Sequence, residues 1–218
     1  MPSMPSGAFI VIEGPDGIGK QTQSELLRDR LVREGHDTRL WSFHRYDTEL
    51  GRIIKAHLKG KVALCETTPS RARIGADALM FQCLASVDKY EAASEITDFI
   101  TRGGIAICDR WWQSAYTYGR ADGLDGDWLK RIHARLPRAD LNFLIEVPHE
   151  EVRKHRKPVP DDHYEADAKK QETVRRYYSE LWTASAADSA VDFHRIDGMG
   201  SKDDVHARIW EVFAQWTR

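Results

Sequence analysis

Residues 8–22 read Ala8-Phe9-Ile10-Val11-Ile12-Glu13-Gly14-Pro15-Asp16-Gly17-Ile18-Gly19-Lys20-Gln21-Thr22. An apolar, β-branched run ends in a glycine loop, the loop ends in a lysine, and a helical pattern continues to Arg33. Strand, G-x-x-x-x-G-K and helix together form the layout of a phosphate-binding loop. Glycines let backbone N–H groups turn onto phosphate oxygens. The helix N-terminus adds a partial positive charge, and Lys20, expected to face solvent, adds a full one. Gly14, Gly17, Ile18, Gly19, Lys20, Gln21 and Thr22 are therefore candidate contacts to a nucleoside phosphate. The plain alternative is a glycine-rich turn between any strand and helix; the agreement of strand, spacing, lysine and helix counts against it. One position departs from the pattern. Gln21 stands where a hydroxyl residue normally ligates Mg²⁺. Thr22, about 100° further round the helix, does not replace it. Either the Gln21 amide oxygen serves, or phosphates and carboxylates hold the metal.

The rest of the chain suits one α/β domain. Its 218 residues are 41% hydrophobic and 30% charged, ordinary for a globular chain. A formal net charge of −2 argues against wholesale nucleic-acid binding. Cys65, Cys83 and Cys108 are odd in number and widely spaced. They suggest small buried hydrophobes in a reducing, cytoplasmic compartment rather than disulfides or a metal site. No stretch is long enough to span a membrane. Residues 1–7 are expected to form a flexible tail and 8–218 a single domain. Extended runs at 9–12, 38–41, 105–108, 141–147 and 191–196 alternate with helical patterns at 21–33, 48–58, 70–101, 128–136, 166–187 and 203–216. That alternation predicts a parallel sheet covered by helices on both faces. Gly35 and Gly103-Gly104 read as helix stops. Residues 148–162 are basic, then broken by Pro158 and Pro160, then acidic, which suits a short lid.

A second strand, Ile105-Ala106-Ile107-Cys108, runs into Asp109-Arg110. Ligands of open α/β sheets bind beyond the strands' carboxyl ends, so Lys20 and Asp109-Arg110 are expected to meet at one edge. There an aspartate can hold Mg²⁺ or its waters and an arginine can bind a phosphate bidentately. At this point the chain resembles the thymidylate kinase family of P-loop nucleoside-monophosphate kinases. The resemblance rests on Ile12-Glu13-Gly14-x-Asp16-Gly17-x-Gly19-Lys20 and on Asp109-Arg110-Trp111-x-x-Ser114-x-x-x-Tyr118. It extends to Phe43-His44-Arg45-Tyr46, to Pro137-x-x-Asp140-Leu141 and to Asp162-His163-Tyr164-Glu165, all in the family's order.

The resemblance implies a P-loop NTPase fold with a five-stranded parallel sheet. It implies ATP-dependent conversion of a deoxynucleoside 5′-monophosphate, most naturally dTMP, to the diphosphate, with Mg²⁺, in a homodimer built through the helices after the second and third strands. Lys20 and the loop amides would hold ATP. Arg110 and Arg45 would grip the acceptor phosphate, and Asp16 would sit between acceptor and donor. Phe43 would wall the acceptor pocket, and Tyr118 would exclude a 2′-hydroxyl. Tyr46, Ser114 and Tyr164 fall on the same side. Metal contacts would come from Asp16, Asp109, Glu165 and Gln21. Ordinary core aromatics and a solvated loop charge are the plainer readings of Phe43, Tyr118 and Arg45.

The helix over 70–101 carries Phe81, Ala85 and Lys89 on one face. The family places a stacking aromatic and a base-reading arginine there. Here Lys89 stands for the arginine, a point donor instead of a planar fork, and Phe81 lies one turn early. Phe81-Gln82 also looks like the base-reading pair of deoxynucleoside kinases. The Gln82 amide can bond both N3–H and O4 of thymine; an exposed helix glutamine is the alternative. The loop holds no arginine, so the transferring phosphoryl group needs lid cations, with Arg153 and Arg156 the candidates. Two other functions stay open. A deoxynucleoside kinase acting on a 5′-hydroxyl would need a carboxylate base, for which Glu13 is the neighbour of the loop. A nucleotide-binding regulatory protein would need no acceptor pocket.

Overall fold

The computed structural model describes residues 7–65, 70–154, 167–185 and 192–217. Residues 1–6 of the expected tail (1–7), the distal part of the expected lid with Arg156, and Tyr164 and Glu165 lie outside the described residues.

Strand β1 (Ala8–Glu13) is buried at every position, and its alternation sends two apolar sets to opposite faces. Ala8, Ile10 and Ile12 pack with Leu27 and Leu31 of α1 (Lys20–Arg33) and with Ile209 and Phe213 of α8 (Lys202–Trp216). Phe9 and Val11 pack with Ala92, Ile96 and Phe99 of α3 (Ser70–Thr101). Burying such side chains stabilises by about 1.5–3 kcal/mol each, so β1 must be central. It is: β2 (Thr38–Ser42), β3 (Ile105–Asp109), β4 (Leu141–Glu146) and β5 (Asp192–Asp197) complete a sheet of order β2-β3-β1-β4-β5. All its pairs are parallel. The two edge strands, β2 and β5, mix buried and open positions.

Because β1 lies between β3 and β4, chain connections diverge at its carboxyl end, opening the crevice that α/β sheets use for ligands. Ile12 pairs with Asp109, so the phosphate-loop strand and the Asp109-Arg110 strand end level. Helix α1 stops at Gly35 (φ 90°), where the N–H of His36 returns to the carbonyl of Leu31 at 3.0 Å.

The sequence reading missed α4 (Trp112–Ala121), which is buried from Gln113 to Gly119 although Gln113, Ser114 and Thr117 among those residues are polar. Short α5 (Gly126–His133) starts earlier than expected, capped by Asp125. Helix α2 (Glu49–Leu58) is capped by Thr48, and α7 (Ala168–Ser185) follows the lid region, which opens with α6 (His149–Lys154). Of the cysteines only Cys108 is buried; Cys65 is half-buried and Cys83 exposed, against the expectation of three core residues. Among the described residues no helix is long and apolar enough to cross a membrane.

Candidate functional site

The loop between β1 and α1 is built by close approach. A Cβ on Gly14 (φ 144°) would lie 2.5 Å from Ile18 Cδ1 and 2.7 Å from the carbonyl oxygen of Ile145, so only glycine fits there. Lys20 is not the solvent-facing cation expected. It is the first residue of α1, 6% exposed, and its Nζ donates to the carbonyl oxygen of Pro15 at 2.5 Å, curling the side chain under the loop. Burial, and then Arg110, lower its pKa to about 8, against the attraction of Asp16, Asp109 and Glu13. Gln21 and Thr22 are exposed, and the Gln21 amide nitrogen donates to Glu25 at 3.0 Å.

Arg110 follows β3 in the left-handed region (φ 70°), a strained backbone for arginine. That turn swings its guanidinium over the loop. There it pairs with Asp16 Oδ1 and donates from Nη1 to Ser114 Oγ at 3.0 Å. Asp16 Oδ2 accepts from Tyr118 Oη at 2.5 Å and from Gln171 Nε2 at 2.9 Å. Burial pushes the Asp16 carboxyl up, but Arg110, Lys20 and these donors hold it below the ordinary range. With both oxygens engaged, Asp16 is poorly placed as a metal ligand, contrary to expectation. Asp109 differs. It is 8% exposed, burial raises its pKa, and its buried Oδ1 has no hydrogen-bond partner among the described residues.

Beside this cluster opens a cavity of about 300 Å³. Asp16, Arg110, Ser114 and Gln21 line its polar end; Phe43, Tyr46, Phe81 and Tyr118 wall it; Gln82 and Lys89 close it. Nine of the eleven acceptor-side candidates thus face one space. Arg45 does not line it. Its Nε binds Asp88 Oδ1 at 2.9 Å, and its Nη2 reaches Glu91 Oε2 at 2.5 Å and the Asp88 carbonyl at 2.9 Å. Asp88, fully buried, draws in this arginine and also His44 Nδ1 at 3.3 Å. The latch explains both why Arg45 is no solvated loop charge and why it is held away from the cavity. The eleventh candidate, Tyr164, lies outside the described residues.

Gln82 is no exposed glutamine. It is 1% exposed, packs against Gly119 of α4, and neither amide atom has a partner among the described residues. A buried unpaired amide costs free energy, so this one suits a ligand that supplies both a donor and an acceptor. Lys89, also 1% exposed, donates to the Ala85 carbonyl at 3.1 Å and lies 5.4 Å from the centre of the Phe43 ring. Burial lowers its pKa to about 8, against the pull of Asp88 and Glu13. The Arg153 position falls in α6 and Arg156 lies outside the described residues.

The sequence reading overlooked Gln171 and His44, and the structural role of Glu13. Gln171, Val174 and Tyr178 recur at i, i+3 and i+7, one buried helical face, a spacing visible in the sequence. Glu13 is fully buried beneath Arg110. Its carboxyl accepts from the Trp111 and Ser114 backbone N–H groups at 2.6 and 3.2 Å, from Ser114 Oγ at 2.6 Å and from Tyr178 Oη at 2.7 Å. It does not line the cavity.

The family described as "Thymidylate kinase" matches residues 12–209. A "Probable thymidylate kinase" of Pyrococcus abyssi is 32% identical over 205 residues, 93% of this chain and 94% of that protein. The human thymidylate kinase is 26% identical over 204 residues, 93% of this chain and 88% of that one. In fold, the chain is similar to the thymidylate kinase structure from Candida albicans. Its TM-score is 0.73, with 24% identity over 97% of this chain and 94% of that chain.

Proposed function

This chain belongs to the thymidylate kinase family, and from that premise we propose that its cavity is the acceptor site for dTMP, phosphorylated by ATP to dTDP. One observation carries the assignment of the site. Asp16, paired with Arg110 and attracted by the nearby Lys20, lines a cavity that is also lined by Gln82, whose amide has no partner among the described residues. A thymine edge offers that amide one donor and one acceptor. Phe43 and Tyr118 flank base and sugar, and Tyr118 leaves little room for a 2′-hydroxyl.

The acceptor phosphate is already anionic near neutral pH, its second pKa being roughly 6, so transfer needs no strong base. Asp16, with a lowered pKa and two engaged oxygens, is not built as one. Glu13, saturated by four donors away from the cavity, is not either. Both points favour a phosphate acceptor over a 5′-hydroxyl. Catalysis is then positioning and charge. Lys20 and the loop amides of Gly14, Gly17, Ile18 and Gly19 hold the ATP phosphates, Arg110 orients the acceptor, and Arg153 or Arg156 brings charge from the lid.

Mg²⁺ suits the residues present. Asp109 offers a buried, unpartnered oxygen whose charged form burial disfavours, and a divalent cation would relieve that cost. Among the described residues no group of three or more His, Cys, Asp or Glu side chains could hold a metal by itself, so phosphates supply most ligands. Glu165 is the further candidate. When bound, the ion neutralises charge on the donor phosphates. The homodimer remains part of the proposal, with one change. Helix α4 is buried within the protomer, whereas Ile53 of α2 and Leu79, Met80, Val87 and Tyr90 of α3 are exposed, so α2 and α3 are the surfaces to pair. A cytoplasmic enzyme without nucleic-acid or membrane partners completes the reading.

The test is turnover with ATP, Mg²⁺ and each of dTMP, dUMP, dCMP, dGMP and thymidine. The highest kcat/KM is expected for dTMP. Thymidine outrunning dTMP would refute a phosphate acceptor.

A further inference from the structure

Four donors meet on one buried carboxyl group. Glu13 Oε1 takes two backbone N–H groups of the first turn of α4, those of Trp111 and Ser114, at 2.6 and 3.2 Å. Glu13 Oε2 takes two hydroxyls, Ser114 at 2.6 Å and Tyr178 at 2.7 Å, and those hydroxyls lie 2.8 Å apart. Such saturation stabilises a buried acidic group and leaves no free lone pair for abstracting a proton.

The consequence falls on Arg110. Its own N–H is tied to the Ile12 carbonyl at 3.0 Å, and the next N–H, that of Trp111, is tied to Glu13. The left-handed turn at Arg110 is thus clamped on both sides. Glu13 also decides which way the Ser114 hydroxyl points. Ser114 Oγ gives its proton to Glu13, so a lone pair is left for the donating Nη1 of Arg110 at 3.0 Å. Arginine has donors only. A Ser114 hydroxyl turned the other way would present a proton to a cation.

We infer that Glu13 is the positioning residue for Arg110, acting through the Ser114 hydroxyl and the α4 N-terminus, with Tyr178 bracing it from α7. This rests on the reading of Arg110 as the acceptor-phosphate arginine. It assigns Glu13 no contact with substrate and no proton transfer.

Glu13→Gln tests the mechanism with an isosteric side chain. An amide has one acceptor oxygen and one two-proton donor. The backbone N–H groups cannot turn, so the oxygen must serve them and the NH₂ must face the hydroxyls. Ser114 then accepts instead of donating to this side chain, and its proton turns toward Arg110 or toward Tyr178 Oη, 2.8 Å away; either way the hydroxyl that Arg110 meets is no longer oriented by a carboxylate. We expect the KM for dTMP to rise about 5- to 20-fold, with the KM for ATP within about twofold and kcat within about threefold. Ser114→Ala should produce the same selective rise. The double variant should be no worse than the poorer single one, because both remove one interaction.

A loss of roughly 100-fold or more in kcat at unchanged KM would make Glu13 a reacting group and overturn the inference. Equal rises in both KM values, or additive effects in the double variant, would also overturn it, since a merely structural role predicts those. If Glu13→Gln does not fold, Ser114→Ala decides: a dTMP KM unchanged from wild type refutes the inference. Arg110→Ala, measured in parallel, separates the two levels. If it fails to raise the dTMP KM selectively, the reading of Arg110 is wrong. If it succeeds while Glu13→Gln and Ser114→Ala do nothing, only the positioning role falls.

Discussion

Replacing Gln82 by leucine should move stability and acceptor binding in opposite directions. Gln82 is 1% exposed, and both its amide atoms are buried without partners among the described residues. An unsatisfied buried group costs about 1–3 kcal/mol. Leucine nearly matches glutamine in volume and carries no polar atoms, so the free protein loses a liability. The tight site beside Gly119, 3.3 Å from Gln82 Cδ to an added Cβ, permits a shorter side chain. The melting temperature should hold or rise, by up to roughly 8 °C for a chain of this size. In the complex the sign reverses. The donor and acceptor of the thymine edge would be closed into a pocket with nothing to meet, costing about 2–4 kcal/mol, or roughly 30- to 1,000-fold in Kd. Thermal unfolding and calorimetric titration with dTMP, on one preparation of each protein, read both quantities. A melting temperature lowered by several degrees with unchanged dTMP affinity would refute the reasoning: Gln82 would then be a packing residue, and the base would be read elsewhere, with Lys89 next in line.

Other outcomes are equally concrete. Lys20→Ala should lower kcat by about 10²–10³-fold through lost charge on the donor phosphates, while its urea midpoint stays near wild type, because Lys20 is a desolvated cation. Lys89 has its pKa lowered from 10.5 to about 8. Between those values the unfolded chain binds the extra proton, so wild-type stability should gain up to about 3 kcal/mol from this group as pH rises from 8 towards 10.5. Lys89→Met should lack that slope in denaturant titrations across the range; an identical slope would mean that the lysine is solvated. Asp88→Asn should cost about 3 kcal/mol, since it strips the buried partner from Arg45 and His44. A change under 1 kcal/mol would show that the latch is loose. Asp109→Asn should weaken the apparent Mg²⁺ affinity at least about tenfold without lowering stability, as its charged form is already disfavoured by burial; wild-type Mg²⁺ dependence would place the ion on other ligands.

Much of this protein was legible along the chain because the decisive signals are local. A doubly buried strand must be apolar throughout, so β1 announced itself by composition. A loop that wraps phosphates must be glycine-rich, and a parallel sheet must alternate strand with helix. From those constraints followed the five strands, the phosphate loop and the meeting of Lys20 with Asp109 and Arg110. The stretch 112–121 hid its helix because its buried positions include the polar Gln113, Ser114 and Thr117, which do not read as a core-facing run.

The sequence named candidate residues for the site, whereas tertiary structure decided their states, because partners in three dimensions are set by packing and not by spacing. Arg45 carries the charge expected of a phosphate ligand, yet Asp88 and Glu91, more than forty residues away, hold it aside. Lys20 and Gln82 look like exposed polar residues on paper and are buried because α1 and α3 turn those faces inward. Glu13 reads equally as a base or a strand end until four donors are seen to converge on it from α4 and α7. Burial and hydrogen-bond saturation depend on what closes over a side chain, and that is a property of the folded whole.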